Sequence, residues 1–340
     1  MTVTLKPLDQ QVVVLTGATS GIGLCAARCL AERGASLVLV ARNDEALDEL
    51  VSELSAKTEA MAVDADVGDR EAVARVAREA VERFGRIDTW VNNAGVAIYG
   101  AVTDVPWEDQ RRLFETNYWG LVAGSLEMVA HRRERGGPGK LINLGSALSD
   151  RAMILQGPYS ASKHAVKGIT DALRMELEAA DEPIDITLIK PGAVDTPYME
   201  HARSFMESEG TRNPPPSYDP DLVAQAIEHA CEHHARDLDV GAGGWAVAKL
   251  GQVAPALTDQ VMKLTGKALQ TSSAPPRPGM RDNLYTPARD GEERSAMPGP
   301  PPKPFSLLLA MQMNPVATIA IGTAATVAAI AWMNRDERRV

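Results

Sequence analysis

The feature that most constrains the fold is a regular alternation of short apolar runs with longer amphipathic segments between Gln11 and Gly241. The runs are three to six residues long and rich in Val, Leu and Ile, as in strands that are covered on both faces. The segments between them have the length and apolar spacing of helices. Because the two alternate, we expect βαβ units with right-handed crossovers. The sequence therefore predicts an α/β protein with a doubly wound parallel sheet in three α/β/α layers.

The bounds of the predicted elements follow from these patterns. Strands are expected at 12–15, 36–40, 60–63, 89–91, 140–144, 184–189 and 237–240. Helices are expected at 21–33, 45–57, 70–84, 106–133, 159–180 and 220–235, with a further helical stretch at 245–270 that Pro255 interrupts.

Composition and charge exclude several classes of protein. Of the 340 residues, 45% are hydrophobic and 24% are charged, which is ordinary for a globular chain. A net charge of −10 without a large basic patch argues against nucleic-acid binding. Cys25, Cys29 and Cys231 form neither a disulfide framework nor a metal-ligand spacing, so we expect a reducing compartment and no metal. Residues 1–10 lack the apolar run of a secretory signal.

The chain changes character after about residue 241. We expect a catalytic domain at 1–245 and a helical extension at 246–270. Residues 271–304 contain 9 of the 22 prolines and are expected to form an extended linker with no core of its own. An apolar helix at 305–334 and a charged tail at 335–340 complete the predicted division.

The apolar helix near the end has two interpretations. The 19 residues from Pro315 to Met333 would form a helix about 28 Å long, close to the thickness of a bilayer core. This favours a transmembrane anchor that leaves the catalytic domain in the cytoplasm. The composition, rich in Ala and Thr, makes insertion marginal. The alternative is a helix packed within the protein or an oligomer interface, with the enzyme soluble in the cytoplasm.

A glycine-rich turn follows the first predicted strand and opens the first helix. It contains Thr16, Gly17, Thr19, Ser20, Gly21, Ile22 and Gly23. Glycines let the backbone approach a pyrophosphate, and the helix N-terminus offers N–H groups and a positive dipole end. In this βαβ context the turn predicts a Rossmann-type nucleotide site. A plain structural turn is the alternative.

Cofactor choice is read where the second and third strands end. Ala41 stands where a carboxylate would bind a ribose 2′-hydroxyl, and Arg42 follows it. A basic residue there accommodates a 2′-phosphate, so we expect NADP(H), with NAD(H) possible. Asp66 and Val67 end the third strand, where a carboxylate can bind the adenine amino group. Asp64 or Asp66 could instead cap the next helix.

Four polar residues form a candidate catalytic set. Tyr159 and Lys163 are four residues apart and so share a helix face. The ammonium can lower the phenol pKa, which would let Tyr159 exchange a proton with a carbonyl or alcohol oxygen. Ser146 ends a strand at the ligand edge of the sheet. Asn117 lies in the middle of a predicted helix, where asparagine is a poor helix former. It could perturb the helix there and hold a water.

Together these residues resemble the short-chain dehydrogenase/reductase family in its single-domain branch. The glycine turn is similar to TGxxxGxG, and Asn92, Asn93, Ala94 and Gly95 match its NNAG motif. Asn117, Ser146, Tyr159 and Lys163 match its catalytic tetrad in order and spacing, and Pro191, Gly192 and Thr196 match its PGxxxT segment. The resemblance covers residues 11–240, and the C-terminal extension departs from it.

The resemblance implies a role for each of these residues. Tyr159 would be the general acid of reduction, Lys163 would lower its pKa and bind the nicotinamide ribose, Ser146 would orient the carbonyl and Asn117 would hold a relay water. Cofactor contacts are implied at Asn93, Ala94, Gly95, Pro191, Gly192, Val194 and Thr196. Homodimers or homotetramers would form through the helices at 106–133 and 159–180.

The substrate is expected to be a lipophilic carbonyl or secondary alcohol. The predicted lid at 197–219 carries Tyr198, Met199, Phe205 and Met206, and Leu148, Ile154 and Leu155 flank Ser146. The leading prediction is an NADP(H)-dependent carbonyl reductase. The alternatives are an NAD-dependent alcohol dehydrogenase that works oxidatively and a regulator that senses NADPH without chemistry.

Overall fold

A computed structural model describes residues 3–206, 210–272, 281–287, 290–320 and 323. Its centre is a seven-stranded parallel sheet with the order β10-β7-β6-β4-β1-β2-β3. These strands are β1 (Val12–Thr16), β2 (Ser36–Ala41), β3 (Ala60–Asp64), β4 (Thr89–Asn92), β6 (Gly139–Leu144), β7 (Ile184–Pro191) and β10 (Asp237–Val240). The predicted doubly wound sheet is confirmed.

Helices cover both faces of this sheet. They are α1 (Gly21–Glu32), α2 (Asp44–Leu54), α3 (Arg70–Phe84), α4 (Trp107–Phe114), α5 (Gly120–Arg135), α6 (Gly157–Ala179) and α8 (Asp221–Glu232). One core packs α1, α2 and α8 against one face, with Leu15, Leu30 and Ile227 fully buried. The other packs α3, α5 and α6 around Val14, Trp90 and Leu141. Burial on both faces explains why the strands are continuous apolar runs.

The helix predicted at 106–133 is interrupted. Between α4 and α5 the residues Glu115–Trp119 form a single π-helical turn. Within it, the side chain of Asn117 bonds both backbone groups of Val96, which ties the turn to the loop after β4. A π turn inside a helix is often found at functional sites.

Short elements cover the carboxyl edge of the sheet and are here called the roof. They are the short helix α7 (Tyr198–His201) and two small two-stranded sheets. One sheet pairs β5 (Ile98–Tyr99) with β8 (Arg203–Ser204), and the other pairs β9 (Gly210–Thr211) with β11 (Thr271–Ser272). The helical extension forms α9 (Ala242–Val253) and α10 (Pro255–Gln270), which separate at the expected Pro255. α9 begins before the predicted boundary at residue 245, and the division into five segments otherwise stays a prediction.

Part of the segment expected to be a linker lies against the catalytic domain. Leu284 is fully buried in a cluster with Val96 and Leu113. Further on, α11 (Leu307–Met313) packs beside β10, where Gln312 bonds Asp239.

The predicted membrane anchor falls mostly outside the described residues. Of 315–333, the structure describes 315–320 and 323, where Val316 and Ile319 are largely exposed. Among the residues that are described, no helix has the length and apolar character to cross a bilayer. Membrane association therefore stays a prediction.

Candidate active site

A cleft of about 440 Å³ opens at the carboxyl edge of the sheet, between the ends of the strands and the roof. All but two of the predicted catalytic and cofactor residues line it, from the glycine-rich turn at one end to Ser146, Tyr159 and Lys163 at the other. Thr16 and Asn117 do not line it. Of the residues predicted around the substrate, Leu148, Tyr198 and Met199 line the cleft, and the others do not, namely Ile154, Leu155, Phe205 and Met206. The structure thus brings together side chains that are spread over residues 17–196 of the sequence.

The glycine-rich turn needs its glycines for close approach. Gly17 has φ +68°, and a Cβ there would lie 2.9 Å from the Cα of Ala94. A Cβ on Gly23 would lie 1.8 Å from the carbonyl oxygen of Gly17, an impossible contact. Helix α1 can therefore start directly behind the turn, and the residues of its first turn line the cleft. This geometry fits a dinucleotide pyrophosphate.

Thr16 acts beside the cleft rather than in it. Its buried hydroxyl accepts hydrogen bonds from the backbone N–H groups of Asn93 and Ala94, at 3.0 and 3.1 Å, and donates to the carbonyl of Val91 at 3.2 Å. The Asn93 side chain donates in turn to the carbonyls of Thr16 and Gly17. These bonds hold the NNAG segment against the glycine-rich turn, so Thr16 positions the site.

Arg42 and Asp66 lie together at the end of the cleft beyond the glycine-rich turn. Their charged atoms are 4.0 Å apart, and Asp66 also forms a short ion pair with Arg112. Burial lowers the pKa of Arg42, while the charge of Asp66 opposes that shift. Neither Asp64 nor Asp66 caps the next helix, because Asp69 accepts from the N–H groups of Glu71 and Ala72 there. That helix-cap alternative is wrong.

Tyr159 and Lys163 meet on the inner face of α6, as their spacing predicts. Lys163 Nζ lies 5.8 Å from the centre of the Tyr159 ring and donates to the carbonyl of Leu144 at 2.8 Å. Both side chains are buried, with 8% and 5% of each residue exposed. The lysine therefore lies under the phenol and between it and the strand ends.

Burial dominates the electrostatics of this pair. It lowers the pKa of Lys163 from 10.5 to about 8, because a buried ammonium has lost its hydration. It also raises the pKa of Tyr159, and the hydroxyls of Tyr198 and Ser146 oppose that rise. The expected lowering of the phenol pKa by the lysine is therefore not met in the protein alone. The buried ammonium does not offset the desolvation of the phenol.

Ser146 and Asn117 are fixed by backbone contacts. The Ser146 hydroxyl accepts from the N–H of Leu148 at 3.1 Å, and a hydroxyl that accepts one bond can still donate its proton. Asn117 is 1% exposed and donates to the carbonyl of Val96 and to the hydroxyl of Ser162. Ser146 lies in the wall of the cleft, and Asn117 packs behind that wall.

Two contacts at the site are not evident from the sequence. Tyr198, predicted in the lid, lines the cleft, and its ring lies 5.6 Å from that of Tyr159, with a buried hydroxyl that has no well-formed hydrogen bond among the described residues. Three residues of the expected linker also line the cleft, namely Asn283, Pro287 and Asp290. Motifs could reveal neither, because both parts reach the site through tertiary contacts.

This fold and site define a nicotinamide-dependent oxidoreductase, and comparison with known proteins agrees. A family model for the short chain dehydrogenases matches residues 11–207. Oxidoreductase YxnA of Bacillus subtilis is 46% identical over 282 residues, which cover 83% of this chain and 79% of that one. The chain belongs to the short-chain dehydrogenase/reductase family and is a dehydrogenase/reductase enzyme.

Solved structures show the same architecture. An alcohol dehydrogenase of Thermococcus sibiricus, complexed with 5-hydroxy-NADP, has a TM-score of 0.59 and 25% identity, covering 68% of this chain and 95% of its own. A family member from Burkholderia phymatum in complex with NAD has a TM-score of 0.66 and 26% identity, covering 74% and 96%. A nicotinamide cofactor is thus supported for this chain.

Proposed function

We propose that the protein is an NADP(H)-dependent carbonyl reductase or alcohol dehydrogenase that acts on lipophilic ketones or secondary alcohols. The observation that carries this proposal is the convergence of Tyr159, Ser146 and Lys163 at one end of a cleft whose other end holds Arg42. Between them lies the glycine-rich turn, placed to receive a pyrophosphate.

The residues of the chain supply the proton and the orientation. The nicotinamide, when bound, exchanges a hydride with the carbonyl carbon. Ser146 donates a hydrogen bond to the carbonyl oxygen and fixes its direction, and the Tyr159 hydroxyl gives that oxygen its proton. Lys163 holds the nicotinamide ribose and stabilises the phenolate that is left. Asn117 supports the wall behind the cleft, and the family resemblance implies that it also orders a water that returns the proton to Tyr159.

NADP(H) is preferred in this proposal because Arg42 brings a guanidinium to the adenosine end, while position 41 is an alanine. A guanidinium matches a phosphate with paired hydrogen bonds. NAD remains the alternative, and the Burkholderia relative bound to NAD shows that the family fold accommodates it.

The lipophilic substrate is supported by the walls beyond Tyr159. They include Leu148 and Met153 from the loop after β6 and Met199 from α7. Val247, Met262 and Leu269 from α9 and α10 close the far side. An apolar wall gains about 25 cal/mol for each Å² of apolar substrate surface that it covers.

The experiment is NADPH and NADH oxidation by the purified protein over a panel from small diketones to long-chain ketones in detergent. We expect turnover with NADPH on the lipophilic members. In Tyr159→Phe we expect at least a 100-fold loss of turnover with unchanged NADPH affinity, because only the proton donor is removed. NADPH binding without turnover on any carbonyl would favour a regulator that senses the cofactor. Oxidation of alcohols with NAD alone would favour the NAD-dependent alternative.

We also propose homo-oligomers that assemble through α4, α5 and α6, as the family resemblance implies. Large apolar side chains on these helices and the intervening π turn face solvent, with Trp107 68%, Trp119 52% and Met175 60% exposed. Exposed apolar side chains that form one patch are typical of interaction sites.

A further inference from the structure

Residues 281–287 and 290–297, here called the C-terminal strap, run along the outside of the cleft. They contain no helix or strand and come from the segment that the sequence presents as a proline-rich linker. Asn283, Pro287 and Asp290 of the strap line the same cleft as the glycine-rich turn. The strap therefore forms part of the wall around the adenosine end.

The first contact of the C-terminal strap is with Arg42. The Arg42 guanidinium donates to three successive backbone carbonyls, those of Asn283, Leu284 and Tyr285, the last at 3.3 Å. Arg112 donates to the Leu284 carbonyl as well, at 3.0 Å. A guanidinium has five N–H donors in a rigid plane, so these bonds fix its direction and leave donors for a ligand.

The second contact is with the glycine-rich turn itself. The N–H of Gly291 donates to the carbonyl of Thr19, and the N–H of Gly21 donates to the carbonyl of Glu292, both at 2.9 Å. This pair of bonds places Asp290 beside the turn. The charge of Asp290 acts on Arg42, whose pKa it raises against the lowering by burial. A carboxylate and a guanidinium therefore face the same end of the cleft.

The third set of contacts fastens the strap at both ends. At one end Tyr285 donates its hydroxyl to Asp109 at 2.8 Å, and Arg203 pairs with Asp282 at 3.3 Å. At the other end Arg294 pairs with Asp219 and Asp221, both at 2.9 Å. Between the ends, Leu284 is fully buried. The strap is thus seated by specific bonds on both sides of Arg42.

We propose that the C-terminal strap is the outer half of the dinucleotide site, so that cofactor binding and strap seating are coupled. The inference rests on the proposed cofactor binding and extends it. Seated, the strap orients Arg42 toward a 2′-phosphate, sets Asp290 beside the adenosine and covers the cofactor. Release then requires the strap to open, and unseating weakens NADPH binding more than NADH binding because Arg42 loses its orientation.

The test is stopped-flow NADPH and NADH binding to a variant with one anchor removed at each end. Tyr285→Phe with Arg294→Gln removes one hydrogen bond and three ion pairs, and neither side chain bonds Arg42. The matched control is Arg133→Gln, which breaks an exposed ion pair with Glu182 far from the cleft. We expect a tenfold or greater rise in the NADPH dissociation rate, a smaller rise for NADH and no change in the control.

Limited proteolysis of the strap gives an independent readout. Because linkage is reciprocal, saturating NADPH should slow cleavage in the strap of the full chain by a factor similar to the loss of affinity on unseating. Asp282→Asn, which removes one ion pair, serves as a milder variant if the double variant unfolds.

Three results would overturn the inference or separate it from the proposed function. Unchanged dissociation rates in a folded variant show that the strap only packs on the domain. Tighter and faster NADPH binding in the variant shows that the strap competes with the cofactor. If the wild-type chain binds neither NADPH nor NADH, the proposed function fails first, and the inference fails with it.

Discussion

At the residue scale, two phenols meet at the catalytic end of the cleft. The rings of Tyr159 and Tyr198 lie edge to face at 65°, and burial raises the pKa of both. The Tyr198 hydroxyl is buried without a well-formed hydrogen bond among the described residues. A buried hydroxyl left unpaired costs about 1–3 kcal/mol, so its presence calls for an explanation. A substrate oxygen in the cleft would supply the missing partner.

This explanation predicts opposite effects of Tyr198→Phe on stability and on activity. Because the neighbouring Tyr159 hydroxyl forms no well-formed hydrogen bond with it, removing the Tyr198 hydroxyl should raise the free energy of unfolding by about 1 kcal/mol, measured by urea denaturation. It should also lower kcat/KM for the preferred ketone by about tenfold, the value of one hydrogen bond to substrate. A variant with unchanged kinetics would show that the hydroxyl does not meet the substrate.

At the scale of elements, α9 and α10 form the far wall of the substrate end. Met262 faces the cleft from α10, whereas Leu264, two residues on, is 82% exposed. Residues two apart on a helix lie on different faces. Substitutions at Met262 and Leu264 therefore distinguish a change in substrate contact from a change in the stability of α10.

Met262→Gln should make the enzyme discriminate against long apolar ketones. The polar amide has nearly the volume of methionine but disfavours apolar contact, so KM for long-chain ketones should rise about tenfold while small diketones are unaffected. Leu264→Gln is the control and should change neither KM. Equal KM changes for short and long substrates would mean that α10 does not contact the substrate chain.

At the scale of the whole molecule, the fold brings together segments that are distant in the sequence. Leu284 fills the cluster that contains Val96, Leu113 and Tyr159, more than 100 residues earlier in the chain. The free energy of unfolding should therefore depend on this part of the expected linker.

Leu284→Ala should lower the free energy of unfolding by about 2–4 kcal/mol, because it leaves a cavity in a packed cluster. Leu307→Ala is the matched control, since that leucine is 65% exposed on α11, and its effect should stay below about 0.5 kcal/mol. Thermal or urea unfolding of the two variants measures both. Equal effects would contradict the burial of Leu284.

The sequence predicts what local pattern encodes. The predicted bounds of the strand at 237–240 and of the helix at 70–84 are the bounds in the structure, because the spacing of their apolar residues follows the face that is buried. Tyr159, Lys163 and Ser146 meet as expected because a helix turn and a strand end place them. Leu284 gave no such signal, because one buried leucine among prolines has no period and its partners are distant. The π turn at Asn117 likewise depends on a contact with Val96.

The bonds between Gly21 and Glu292 and between Thr19 and Gly291 also set an order of events during synthesis. A ribosome adds roughly 5–20 residues each second, so the strap emerges on the order of 10 to 50 seconds after the turn that it covers. Throughout that interval the nascent sheet can form while its nucleotide cleft stays open on one side. A segment near residue 290 therefore completes the wall around a motif that was made much earlier, at residues 16–23.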